Sequence, residues 1–170
     1  MALFAAIDIL FAQIFVIKFS SNFIFDFQTL AASICGYVLG PLWASVSLVA
    51  GYLLGWAVFG GFFPGYILSA AVRGFMFGRL LHKKEVESKN FVLSVGVVFL
   101  TTDMILNSIW EYIIAVMGLG QGPPDAQVYI FLSGFGPMIL GKIALLAIDM
   151  FLAYYFAKYL KQFRQLRGKS

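Results

Sequence analysis

Ser69-Ala70-Ala71-Val72-Arg73-Gly74-Phe75-Met76-Phe77-Gly78-Arg79-Leu80-Leu81, preceded by the turn Gly60-Gly61-Phe62-Phe63-Pro64-Gly65, decides how this chain is read. The run from Ser69 to Leu81 is apolar and suited to a helix, yet Arg73 sits near its middle. A charge at the centre of a lipid-facing helix costs about 2.5–3.5 kcal/mol. Arg73 is therefore tolerable only if it faces a protein interior or a wet cavity.

The surrounding composition places that helix in a membrane. The chain has 170 residues, 61% of them hydrophobic and 12% charged, with a mean hydropathy of +0.90. Soluble domains run at about 45–50% apolar and about 25% charged residues. One polytopic membrane domain spanning residues 1–170 is the expectation. The single cysteine, Cys35, offers neither a disulfide framework nor a metal cluster. The net charge of +4 is not a nucleic-acid footprint, because the basic residues gather at segment ends. Ala2–Ile17 lacks a basic leader and an A-x-A cleavage site, so it reads as a retained helix.

Periodicity and breakers predict an all-α architecture of six transmembrane helices: Ala2–Ile17, Gln28–Leu39, Pro41–Phe59, Gly65–Leu81, Phe91–Met117 and Pro137–Tyr159. Lys18–Phe27 reads as a polar and aromatic loop, and His82–Asn90 as the clearest water-exposed one. Gly118–Gly136 reads as a third loop, with a short rim element over Val128–Leu132. Placing both termini in the cytoplasm puts nine basic residues inside: Arg79, Lys83, Lys84 and Lys89 in one loop, and Lys158, Lys161, Arg164, Arg167 and Lys169 in the tail. Lys18 alone lies outside, and that asymmetry is a strong positive-inside signal. Glycine pairs four apart, Gly36/Gly40, Gly51/Gly55 and Gly74/Gly78, predict closely approaching helices. No internal repeat is evident, which weighs against two-fold secondary-transporter architectures.

Six ionisable residues fall within the spans: Asp8, Arg73, Asp103, Glu111, Lys142 and Asp149. Each needs a partner, water or a changed protonation state. Asp103, Asn107, Trp110 and Glu111 share one face of the fifth helix, and Tyr66, Ser69, Ala70 and Arg73 share one face of the fourth. Lys142 lies about a turn and a half inside the outer end of the sixth, with Asp149 deeper on the same face. The three stripes converge beneath the outer loops. One reading is a small-molecule pocket opening outward, with Arg73 and Lys142 available to an anion. The other is internal ion pairing, for example Arg73 with Asp103.

Catalytic signatures are missing. His82, the single histidine, sits among basic residues in a loop and reads as solvated, and there is no H-E-x-x-H or G-x-S-x-G. Gly136-Pro-Met-Ile-Leu-Gly141-Lys142-Ile143 approaches a phosphate-binding loop. Ile143 replaces the hydroxyl residue, however, and no strand precedes it. No enzyme activity and no cofactor are expected. Buried carboxylates leave a stand-alone proton-coupled transporter as the alternative.

Four motifs carry a family resemblance. Phe25-Asp-Phe-Gln-Thr-Leu, Gly36-Tyr-Val-Leu-Gly40-Pro41-Leu-Trp43-Ala44 and Phe62-Phe63-Pro64-Gly65-Tyr-Ile-Leu-Ser69-Ala70-Ala71-x-x-Gly74-x-x-x-Gly78 resemble the substrate-binding S components of energy-coupling factor (ECF) vitamin transporters, closest to the folate-type branch. Leu106-Asn107-Ser108-Ile109-Trp110 is similar to the same branch's fifth helix. The resemblance implies capture of a water-soluble vitamin from outside. It also implies partnership with a transmembrane coupling subunit and two ATP-binding subunits, and contact of Ala2 and Ala6 with the coupling subunit. Phe63 and Trp110 would cover the ligand, with Tyr66, Arg73, Asn107, Glu111 and Lys142 around it and Asp26 and Gln28 in the outer lid. The chain departs from the folate pattern in three places. Asp26 stands near a usual arginine, the usual acid of the third helix is absent near Gly51-Tyr52, and Arg73 stands where small residues are usual. The expected ligands are therefore folate-like, pantothenate, or pyridoxine- or pyrimidine-like.

Overall fold

The computed structural model describes residues 2–11, 17–20, 23–25, 27–60, 63–84, 87–119 and 124–167. Of 17–20, 23–25, 124–127, 129–138 and 160–167 it describes the backbone alone. The elements in order are α1 (Ala2–Ile9), β1 (Ile17–Ser20), β2 (Phe23–Phe25), α2 (Gln28–Leu39), α3 (Pro41–Phe59), α4 (Pro64–Leu81), α5 (Ser88–Phe99), a π-helical segment (Leu100–Leu106), α6 (Asn107–Val116) and α7 (Pro124–Arg167).

The fold is a helical bundle with its polarity reversed relative to a soluble protein. Leu42, Trp43, Leu54, Val58, Leu93, Leu140 and Phe151 are exposed, while Asp8, Ser33, Ser47, Ser69, Arg73, Thr102 and Asp149 are buried. An apolar surface of this extent suits lipid, where helices must satisfy their own backbone groups. Among the described residues, three helical stretches are long and apolar enough to cross a membrane: Pro41–Phe59, Ser88–Val116 and Ile139–Tyr159. Several buried hydroxyls bond back to carbonyls on their own helix, as Thr102 Oγ1 does to Val98 O (2.9 Å) and Ser94 Oγ to Asn90 O (2.7 Å). A polar side chain is thereby satisfied without a partner on another helix.

Helix α4 packs most extensively on α3 and α2, and glycine makes that approach possible. A Cβ at Gly74 would lie 2.6–2.7 Å from the backbone of Ala44 and Ser45, and one at Gly78 would strike Gly40 and Pro41. Gly36 fits against Phe77 in the same way. Gly40 itself has φ +79°, which lets α2 end and Pro41 open α3 without a loop. Gly51 of α3 receives α1 at Ala5 and Asp8. The bundle contact of α1 therefore runs through Ala5, and Ala2 and Ala6 face outward, exposed.

The apolar core lies toward one end of the bundle. It gathers Cys35, Ala44, Leu48, Phe77, Leu81, Phe91, Val95, Val98, Ala153 and Ala157. The opposite halves of α4, the α5–α6 stretch and α7 carry Ser69, Asp103, Glu111 and Lys142.

Several boundaries differ from the sequence expectations. Ile17–Ser20 and Phe23–Phe25 pair as antiparallel strands, with Ile17 opposite Phe25 and an irregularity between Lys18 and Ser20, whereas the sequence reads Ile17 as the end of the first helix and Lys18–Phe27 as loop. The aromatic and β-branched residues that suggested an aromatic loop are also strand formers. The last helix begins at Pro124 instead of near Pro137, so the rim element over Val128–Leu132 is part of α7. Proline at the first helical position opens a helix readily, and neither Gly134 nor Gly136 stops this one. The fifth helix is interrupted by π geometry at Leu100–Leu106. His82 is half-buried instead of solvated, with Nδ1 3.1 Å from Tyr37 O and its ring against Gly40.

Candidate functional site

The site begins at the π segment. Asn107 N–H bonds back to Thr102 O, five residues earlier, so one extra residue is accommodated in the turn. Such insertions are common at functional positions because they re-aim side chains within a helix. Here Asp103, Asn107, Trp110 and Glu111 are delivered toward α4 and α7.

Asp103 is the hub. Its Oδ1 accepts from Arg73 Nη2 at 2.5 Å and from Asn107 Nδ2 at 3.2 Å. Its Oδ2 lies 2.8 Å from Thr102 Oγ1, whose single proton is shared between this carboxylate and Val98 O. Arg73 Nη1 donates to Gln28 Oε1 at 2.6 Å. Arg73 is 5% exposed, so this is an interior ion pair tying α4 to the π segment and to the start of α2.

Lys142 of α7 closes the other side. Its Nζ donates to Asp103 O (3.0 Å) and Ser108 Oγ (3.1 Å) and lies 3.5 Å from Glu111 Oε2. Two cations thus face two carboxylates. The cluster is balanced, and each cation has a carboxylate partner of its own.

Aromatic rings form the adjoining wall. Trp110 Nε1 donates to Ser69 Oγ at 3.0 Å, fixing the indole on α4. Phe63 lies 6.2 Å from Trp110 and 5.8 Å from Tyr66, ring centre to ring centre. Tyr52 Oη donates to Phe63 O (3.0 Å) and accepts from Phe63 N–H (3.1 Å), locking the turn before α4. Gly65 is needed there, since a Cβ would fall 2.6 Å from both rings, Phe63 and Trp110.

Two acceptors in this setting lack a hydrogen bond. Asn107 Oδ1 and Glu111 Oε2 are buried and accept none. They stand one helical turn apart on α6, on either side of Trp110 in sequence. Buried acceptors without hydrogen bonds are uncommon in native proteins and mark places where water or a ligand belongs.

The expected site residues therefore fall into groups. Phe63, Tyr66, Asn107, Trp110 and Glu111 come together. Arg73 and Lys142 lie behind them, engaged with carboxylates. Gln28, expected in a lid, points to Arg73. Asp26 lies outside the described residues. Thr102, Ser108 and Tyr52 join the cluster without having been singled out from the sequence. The hydroxyls beside Asp103 and Asn107 were a readable signal, whereas Tyr52 required knowing how α3 meets the turn before α4.

The folate transporter FolT of Clostridium novyi (strain NT) is 31% identical to this chain over 90 residues, 52% of each protein, so the match spans about half of that relative's length. A crystal structure of FolT bound with folic acid superposes with a TM-score of 0.74, covering 94% of this chain and 92% of that one, at 22% identity. The chain has the FolT fold. No protein-family model matches. With a fold shared over nearly its whole length and an apolar exterior, the chain is a helical membrane protein similar in architecture to FolT.

Proposed function

We propose that this chain is the substrate-binding S component of an ECF importer, holding a folate-class vitamin among Phe63, Tyr66, Asn107, Trp110 and Glu111. The observation that carries this reading is the pair of buried acceptors, Asn107 Oδ1 and Glu111 Oε2, beside a fixed indole. Folic acid presents a flat pteridine ring whose edge bears N–H donors. Such a ring stacks on aromatic faces and donates to acceptors of this kind. A mainly apolar wall with a few fixed polar groups is the usual make-up of a small-molecule site. Among the described residues, the two cations of the cluster are already paired with carboxylates, which suits the uncharged pteridine end of such a molecule and not its glutamate carboxylates.

In this account Arg73, Gln28 and Lys142 orient the groups that touch the ligand. Asp26 belongs to the outer lid. Six crossings with both termini inside put the site in the outer half. Ala2 and Ala6, exposed on α1, meet the coupling subunit, and ATP is hydrolysed by two partner subunits. Pantothenate and pyridoxine- or pyrimidine-like compounds are the other ligands compatible with the cluster. Mass spectrometry of small molecules co-purifying with the protein tests the ligand class. The expected result is a pterin-containing compound, and a pantothenate or pyridoxine would displace it. Uptake that requires co-expressed ATPase subunits supports the S-component assignment. Uptake by the chain alone, abolished by collapsing the proton gradient, supports the proton-coupled carrier instead.

A further inference from the structure

We propose that Asp103, clamped by Arg73, sets the hydrogen-bonding polarity of the site, so that Asn107 selects a ligand edge carrying an amino group over the same ring carrying a carbonyl. The proposal rests on the folate-class reading above and deepens it.

An asparagine amide can present either end to its surroundings, and a site lined by a free-turning amide would accept donor and acceptor alike. Here one end is committed. The group facing Asn107 is the carboxylate of Asp103, at 3.2 Å. A carboxylate beside a guanidinium only accepts, so the amide must present Nδ2 to it. Oδ1 is then turned the other way, and it is this atom that is buried without a hydrogen bond. The orientation follows from chemistry and does not depend on how the amide atoms are assigned.

Asp103 is itself held from three sides, by Arg73 Nη2, Thr102 Oγ1 and Asn107 Nδ2. Arg73 is anchored in turn on Gln28. The polarity set at Asp103 therefore reaches the ligand through one side chain. Arg73 and Asp103 are positioning residues, and Asn107 makes the contact. Glu111 Oε2, one turn further on, is an acceptor whichever way it turns. A ligand edge with adjacent donors matches both, whereas a carbonyl placed against Asn107 Oδ1 sets two acceptors against each other.

The test compares folic acid with its 2-oxo analogue, in which a carbonyl replaces the 2-amino group, by titration of the detergent-solubilised full chain. The unsubstituted protein is expected to prefer folic acid by about 10- to 100-fold, the cost of leaving a buried polar group unpaired. Asp103→Asn introduces a side chain that also donates, so Asn107 is free to turn over. Because that variant leaves Arg73 without a carboxylate, the double variant Arg73→Gln/Asp103→Asn is measured beside it, with both charges removed. The preference is expected to fall within about threefold in the double variant, the analogue binding relatively better. An unchanged preference, with both ligands weakened together, would show a merely structural role and overturn the proposal. Binding of neither ligand by the unsubstituted protein would overturn the folate-class reading and this proposal with it.

Discussion

Asn107 and Arg73 illustrate how differently two polar residues in an apolar helix behave. Asn107 keeps one acceptor open, whereas Arg73 is enclosed by Gln28 and Asp103. Removing one partner of a buried ion pair costs about 3–5 kcal/mol, while replacing both by apolar residues is often neutral. Arg73→Met should therefore lower the melting temperature in detergent markedly, and Arg73→Met/Asp103→Leu should recover most of the loss. A double variant no more stable than the single one would place the stabilising role of Arg73 elsewhere. Lys142→Met leaves Glu111 without its cation and should weaken ligand binding about tenfold or more, since bonds to charged groups contribute about 1.5–3 kcal/mol. At this scale the sequence showed which residues needed partners, because a charge in an apolar run is conspicuous. It did not show which partner each would take. Both readings of Arg73 fitted the helical stripes equally well, and the choice depends on the rotation of α4 against the π segment.

The elements most legible in advance were those bounded by glycine and proline. Gly40-Pro41 marks the start of α3 where the structure has it, because proline at the first helical position and glycine with positive φ leave few alternatives, and α4 opens at Pro64, one residue before the expected Gly65. The π segment was not legible. Its residues, Leu100–Leu106, have ordinary helical spacing, and the insertion appears only where the helix must satisfy α4 and α7 together. Deleting Ile105, which is 57% exposed, should restore regular i→i−4 geometry and re-aim the side chains within the segment, Asp103 among them, because the extra residue is absorbed inside that turn. Such a variant should still reach the membrane while losing ligand binding, and retained binding would show that the π turn does not aim the site. Gly78→Ala tests the other end of α4. Its Cβ would meet the Gly40–Pro41 backbone, and overpacking costs about 1–3 kcal/mol, so a fall in melting temperature of several degrees is expected.

At the scale of the whole molecule, Arg79 and the basic residues of the loop after α4 lie toward the end opposite the site. Exposed Arg79, Lys83, Lys84 and Lys89 flank the core end of the bundle, and the polar cluster occupies the other half. Composition announced the membrane, since burying so many apolar side chains in a chain of 170 residues is impossible. The length of the last helix is not legible in the sequence because its glycines mimic a loop. The positive-inside distribution predicts that Lys83→Cys reacts with an impermeant maleimide only after cells are opened. Labelling of intact cells would invert the topology and place the site on the cytoplasmic side.

The central claim is that Asn107 and Glu111 await the donor edge of a flat vitamin held beside Trp110. Calorimetric titration of the purified full chain with folic acid tests it most directly, with Asn107→Ala measured alongside. The account predicts one saturable site per chain, and binding about tenfold weaker or worse in the variant. No saturable binding of folic acid, or equal affinity in the two proteins, would contradict it.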